Sequence, residues 1–286
     1  MKYVLCRPRG GFHDTLCEIG RCHQYAEKTG RKLIVDSLNS GLHDALWKYF
    51  LPTSDVYFDN KYPDFNKLSA YPKSVEGRID SYVAHYEPGA QNYTDETFNL
   101  LRIDEKRDYE EELLVHEQCW YGYSMAVHAL ESIKFRPRIA KEILKRLSPL
   151  SFFDAVHVRN TDYQTDYKQY FRNIYNSLCG RRVLICSDDY QVYQFARIFF
   201  DQSRVFRLSR FEDNNGKPLH AEKSDNQFET NMQMFTDLVA LTMAENLYIL
   251  PINGGSGISG FSTLAAVLRE KSLMKRMLFS DIPSVV

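Results

Sequence analysis

Short apolar runs in this chain alternate with stretches of helical periodicity, and that alternation constrains the fold more than any other feature. Lys2-Tyr3-Val4-Leu5-Cys6 reads as a buried strand, and Arg7-Pro8-Arg9-Gly10-Gly11 as the loop after it. From Asp14 to Lys28, the residues Leu16, Ile19, Cys22, His23 and Ala26 recur at three- and four-residue steps, the spacing of one helix face. Gly30 suits the helix stop, and Lys32-Leu33-Ile34-Val35-Asp36 reads as a second strand. Strands joined through a helix pair in parallel, because only a long crossover can return the chain in the same direction.

The pattern restarts in the second half. Strands are expected at Phe153–Val158, Arg182–Ser187, Ser203–Leu208 and Leu247–Pro251. Helices are expected over Tyr190–Phe200, 228–245 and Ser262–Glu270. Met232, Phe235, Leu238, Val239 and Met243 share one face of the middle helix. Residues 52–110, rich in Tyr, Asp, Asn and Pro, read as short strands and long loops. The charged run Asp104–Glu112 reads as a solvated helix face, 113–117 as a strand, and a basic helix follows Pro137. The whole predicts an α/β fold of two Rossmann-like domains facing across a cleft, residues 1–140 and 141–286.

Composition narrows the partners. Lys+Arg number 36 against 37 Asp+Glu, a net charge of −1, which argues against a general nucleic-acid binder. The six cysteines form no CxxC pair and no Cys/His zinc spacing. Cys6 and Cys186 sit in apolar runs, as reduced core cysteines of a cytosolic protein do. No apolar run reaches the ~20 residues of a membrane span, and Met1-Lys2 leads straight into a strand rather than a signal peptide. The expected location is the cytosol, with the inner face of a membrane as the peripheral alternative.

Four segments carry chemistry. His157-Val158-Arg159-Asn160-Thr161-Asp162 closes a strand, where open α/β sheets bind ligands. Arg159 there can fork onto a diphosphate, or it can form a strand-end salt bridge with Asp162. The glycine turn from Gly254 opens the last helix, whose N-terminus favours an anion; Ser262 or Thr263 suits its N-cap. Gly255, Gly257 and Gly260 spell GxGxxG with Asp281 about 20 residues on, but too little chain follows for a dinucleotide domain. Gly10-Gly11-Phe12-His13-Asp14 either admits a ligand or is a packing turn capped by Asp14. Ser187-Asp188-Asp189 offers metal ligands, but capping the helix from Tyr190 is the preferred reading.

Together these segments resemble a family. His157-Val158-Arg159-Asn160-Thr161-Asp162 is similar to the HxRxxD motif of α1,6-, α1,2- and protein O-fucosyltransferases. Leu184–Asp189, Thr236–Leu241 and Phe261–Ala265 resemble three further family segments in the same order, over roughly residues 150–270, while the middle, about 40–135, is unmatched. The resemblance implies a GT-B-like enzyme that moves L-fucose from GDP-fucose to a hydroxyl of a glycan or lipid-linked glycan, with inversion and with neither cofactor nor metal. It implies that Arg159 binds the β-phosphate, and that His157 and Asp237 contact the guanine nucleoside. Ser262 and Thr263 would bind phosphate oxygens, and Gly10 and Gly11 would border the donor pocket.

Charge growing on the diphosphate needs a metal or fixed cations and amide donors. Arg159 and the last helix supply the second solution, which leaves Asp188 and Asp189 structural. Inversion needs a base, for which Asp166 and Glu18 are assigned and Asp14 is a rival. Relatives of the α1,6 type carry a second basic residue where Asn160 stands, so phosphate binding is thinner here or the donor differs. The short chain favours glycan or surface-polysaccharide assembly. Competing readings are the same fold with another nucleotide sugar, an NAD(P)-dependent oxidoreductase built on Gly255–Gly260, and a non-catalytic nucleotide-sugar binder.

Overall fold

The computed structural model describes residues 1–58, 63–119, 123–209, 223–252, 257–271 and 273–279. The chain divides into two compact units, Met1–Arg136 and Pro137–Val286. Among the described residues no helix is long and apolar enough to cross a membrane.

The first unit opens with β1 (Tyr3–Cys6), α1 (Phe12–Thr29) and β2 (Lys32–Val35). The Asp14 carboxylate accepts the Gly11 N–H at 3.0 Å at the start of α1, and Gly30 ends it in the left-handed conformation at φ 66. Next come β3 (Phe50–Pro52), β4 (Ala70–Tyr71), β5 (His85–Glu87), β6 (Asn92–Thr94), β7 (Leu113–His116), α2 (Tyr123–Glu131) and β8 (Ile133–Phe135). Four strands make a parallel sheet in the order β2-β1-β7-β4. Successive residues of a strand point to opposite faces. Tyr3, Leu5, Ile34, Leu113 and Val115 accordingly join a core with Val75, Ile79 and Leu101 on one side. Every residue of β1 and β7 is buried, as expected when both faces of a parallel sheet are covered.

The second unit begins with α3 (Pro137–Leu147), then β9 (Asp154–Val158), α4 (Tyr167–Leu178), β10 (Val183–Ser187), α5 (Tyr190–Phe199) and β11 (Val205–Phe206). It closes with α6 (Gln227–Met243), β12 (Leu247–Ile249), α7 (Gly260–Glu270) and α8 (Leu273–Phe279). Its parallel sheet runs β11-β10-β9-β12. Val156, Val158, Val183 and Ile185 pack with Phe171, Leu178, Val192 and Ala196 of α4 and α5. Burying one such side chain stabilises by roughly 1.5–3 kcal/mol. Arg146 of α3 holds Glu229 of α6 through two bonds of 2.9 and 2.8 Å, fixing these helices to each other.

Several elements differ from the sequence expectation. Asp104–Glu112 is not a helix. Asp104 and Asp108 bond the nearby N–H groups of Lys106 and Tyr109, and such local bonds compete with helix formation. Tyr109 then turns inward, 2% exposed. On α6, Met243 departs from its buried companions and is 56% exposed, because it sits at the last helical residue. The helices α2 and α4 are additions that the sequence reading did not include.

Candidate functional site

In the second unit β9, β10 and β11 follow one another outward, and β12 returns to the other side of β9. The chain direction therefore switches between β9 and β12, and ligands of open α/β sheets bind at the carboxyl ends of strands flanking such a switch. The His157 segment leaves β9 there, and α7 begins shortly after β12. His157 Nδ1 lies 2.6 Å from Ser262 Oγ of α7, which lies 2.9 Å from Ser259 Oγ. The Phe261 ring sits against the imidazole with centroids 5.4 Å apart. Burial, helped by the Arg159 charge, pushes His157 down to about 3, so the ring is neutral.

The helix cap is different from the expected one. Ser259, not Ser262 or Thr263, caps α7, its hydroxyl accepting the Ser262 N–H at 3.2 Å. Thr263 donates its hydroxyl back to the Ser259 carbonyl at 3.1 Å. Ser262 is 1% exposed and its hydroxyl is engaged, so neither side chain offers itself directly to a phosphate. What the turn presents is the backbone: among the described residues, the N–H groups of Gly260 and Phe261 at the helix start have no hydrogen-bond partner. A serine directly before the helical run is the cap signature that would have found Ser259. Gly254, Gly255 and Ser256, and also Asp281, lie outside the described residues.

Arg159 meets two carboxylates. Its Nε and one Nη hold Asp162 at 2.7 and 2.8 Å, and its Nε lies 3.0 Å from Asp188. These partners outweigh burial and raise the guanidinium above its ordinary value. The edge of the fork assigned to a diphosphate is therefore engaged within the chain, and the strand-end salt bridge is present. Asp188 is saturated: Oδ1 accepts the Asn160 N–H at 2.8 Å and Oδ2 the Thr161 hydroxyl at 2.5 Å. Asp189 caps α5 through the Gln191 N–H at 2.8 Å and accepts Asn160 Nδ2 at 2.7 Å. Asn160, whose Oδ1 takes the Thr165 hydroxyl at 2.6 Å, stitches this loop together. That is the structural work done where a second basic residue was missing.

Asp237 lies on α6, half-buried, beside the carboxyl ends of β10 and β11. Ser209 donates its hydroxyl to Oδ2, and Oδ1 has no partner among the described residues. Burial lifts the carboxyl to about 7, with hydrogen bonds from Ser209 and Cys186 pulling it part of the way back. Ser209 was not read from the sequence, which carries no spacing that would tie it to Asp237.

The assigned bases are not placed as bases. Asp166 caps α4, accepting the Gln169 N–H at 3.0 Å. Glu18 is fully buried in the first unit, its Oε2 2.6 Å from His116 Nε2 and its Oε1 unpartnered among the described residues. A carboxylate enclosed in that way reaches no acceptor hydroxyl. The Gly10-Gly11 turn follows the packing alternative. Gly10 has φ 81, and a Cβ there would press on Cys119 and Asp14. The Gly11 N–H already belongs to Asp14.

No protein-family model matches the sequence, and no curated protein matches it. Solved structures do. Fucosyltransferase NodZ from Bradyrhizobium superposes with a TM-score of 0.60 at 18% identity, over 93% of this chain and 92% of NodZ. NodZ α-1,6-fucosyltransferase soaked with GDP-fucose gives the same TM-score and coverage at 19% identity, and the form co-crystallised with GDP does so at 18%. At that identity the likeness concerns architecture. This chain has the GT-B-like fold of the fucosyltransferase NodZ.

Proposed function

We propose that this chain is a glycosyltransferase that moves L-fucose from GDP-fucose to a glycan hydroxyl, inverting the anomeric centre without a catalytic metal. The observation that carries the reading is the NodZ fold over 93% of the chain, in a neighbour studied with GDP-fucose. The His157–Ser262 contact supports it, since it joins the end of β9 to the helix start where a phosphate group would be received. In this reading the backbone N–H groups of Gly260 and Phe261 take phosphate oxygens, and Arg159 neutralises the leaving diphosphate beside Asp162. Asp237 Oδ1, without a partner among the described residues, suits the adjacent N–H donors of a guanine edge. Gly10 and Gly11 shape a turn rather than bind the donor. Glu18 is enclosed, whereas Asp166 and Asp14 each cap a helix through one carboxylate oxygen; Asp14 is the base in this reading, its Oδ2 on the Gly11 N–H and its Oδ1 3.6 Å from His13 Nδ1. Work in surface-polysaccharide assembly, on a lipid-linked glycan at the inner face of a membrane, belongs to the same proposal.

Thermal unfolding against GDP, UDP, CMP and NAD tests the donor class, because a ligand at ~100 times its Kd stabilises by ~2.7 kcal/mol. GDP alone should stabilise. Stabilisation by NAD and not GDP would put the oxidoreductase reading in its place. The internal engagement of both Glu18 and Asp166 favours one further reading, a nucleotide-sugar binder without turnover. GDP release from GDP-fucose over an acceptor panel separates the two.

A further inference from the structure

We infer that the first unit holds a divalent transition-metal ion of the zinc type between α1 and α2, bound by His23, Glu27 and His128. His23 and Glu27 stand four residues apart on α1 and so project from one helix face. His128 comes from α2, which approaches closely because Gly20 has no side chain; a Cβ there would run into the Met125 backbone. His23 Nδ1 and His128 Nε2 lie 3.0 Å apart, and a Glu27 carboxylate oxygen lies within 4.8 Å of both. Two nitrogens bound at ~2.0–2.1 Å to a tetrahedral ion stand about 3.4 Å apart, so a shift of a few tenths of an ångström gives the two imidazoles that spacing, and the exposed Glu27 side chain would swing in to complete the set.

The surroundings prepare His23 as a ligand. It is 3% exposed, so packing holds its ring in place. Its other nitrogen, Nε2, lies 3.0 Å from Ser54 Oγ, itself fixed by the Val56 N–H at 3.3 Å. Donation of Nε2–H to Ser54 leaves Nδ1 bare toward His128, the outer-shell arrangement that orients metal-binding histidines. The Tyr57 ring, 5.0 Å away by centroids, walls the site. Two imidazoles and one carboxylate suit zinc-type ions better than calcium or magnesium, which prefer all-oxygen sets.

No sequence spacing announces this set, since His23 and His128 are 105 residues apart. α1 crosses back from the carboxyl end of β1 to the amino end of β2, and His23 and Glu27 lie in its later half. The site is thus removed from the glycine turn, and its role is to staple α1, α2 and the Ser54 loop. It stands independently of the proposed fucosyl transfer.

Chelator-stripped protein titrated calorimetrically with Zn²⁺, and with Co²⁺ as a visible-absorption probe, provides the test. One equivalent should bind, raise the Tm by a few degrees and give the intense visible bands of a four-coordinate Co²⁺ site. Glu27→Gln and His128→Gln should each weaken binding at least about tenfold, and Ser54→Ala by about 10–100-fold. Glu27 is exposed, so Glu27→Gln should leave the ion-free Tm unchanged, which separates loss of a ligand from loss of fold. Absence of stoichiometric binding, or binding and spectra unaltered in both ligand variants, would overturn the assignment.

Discussion

His157 Nδ1 and Ser262 Oγ, 105 residues apart in the chain, meet at 2.6 Å and join the end of β9 to the first turn of α7. Ser262→Ala would leave a buried, neutral imidazole nitrogen without its partner. The expected cost is ~1–3 kcal/mol, read as a lower urea midpoint with unchanged slope. GDP stabilisation should shrink as well, since the helix start is no longer pinned. An unaltered midpoint would show that the contact contributes nothing net.

Arg159 is shared between Asp162 and, in this proposal, the departing diphosphate. Arg159→Ala should lower turnover by ~10²–10³, or ~2.7–4 kcal/mol of transition-state stabilisation, and Arg159→Lys should restore only part. Asp162→Asn keeps the guanidinium in place and should retain most turnover. Steady-state kinetics beside thermal unfolding distinguishes the roles. If both variants lose stability equally and turnover equally, Arg159 is only half of a salt bridge.

Asp188 accepts bonds from Asn160, Thr161 and Arg159, so its replacement by Asn should be felt in stability, by ~1–3 kcal/mol. Turnover well below the Tm should survive EDTA. Loss of turnover on chelation, with recovery on adding manganese, would make Asp188 and Asp189 ligands after all.

A carboxyl lifted to about 7 by burial, as Asp237 is, holds its proton more tightly in the folded chain than in the unfolded one. Its contribution is favourable in acid and is eroded as pH rises from the ordinary carboxylate range through about 7, by roughly 4 kcal/mol at most. Asp237→Asn cannot titrate. The Tm of that variant minus the wild-type Tm should therefore widen between about pH 5 and pH 8 and then level off. A constant difference across that range would mean that Asp237 titrates normally.

The parts of the molecule written in local patterns were legible before any coordinates. The β1–α1–β2 unit, the ends of β9 and β10, and a cap for α5 from Asp188 or Asp189 follow from periodicity and capping chemistry; the structure gives that cap to Asp189. α4 carried a signal too: Tyr167, Tyr170, Phe171, Ile174 and Leu178 recur at helical steps behind the Asp166 cap. Reading Asp166 as a base concealed it as a helix start. Glu18 could not have been excluded from sequence, because its burial depends on His116, 98 residues away. Ser209 beside Asp237 is likewise a product of tertiary packing, which no local spacing encodes.

Asn160 gives the loop after β9 a chemical age. Its amide donates to Asp189 and accepts from Thr165, so its nitrogen carries one of the bonds that hold the loop. Hydrolysis of that amide to a carboxylate would change almost nothing in shape, yet it would set two negative oxygens against each other where a hydrogen bond had been. The segment bearing Arg159 would then lose one of its ties to the end of β10 through the slow loss of ammonia rather than through unfolding, while the bonds to Asp188 stayed in place.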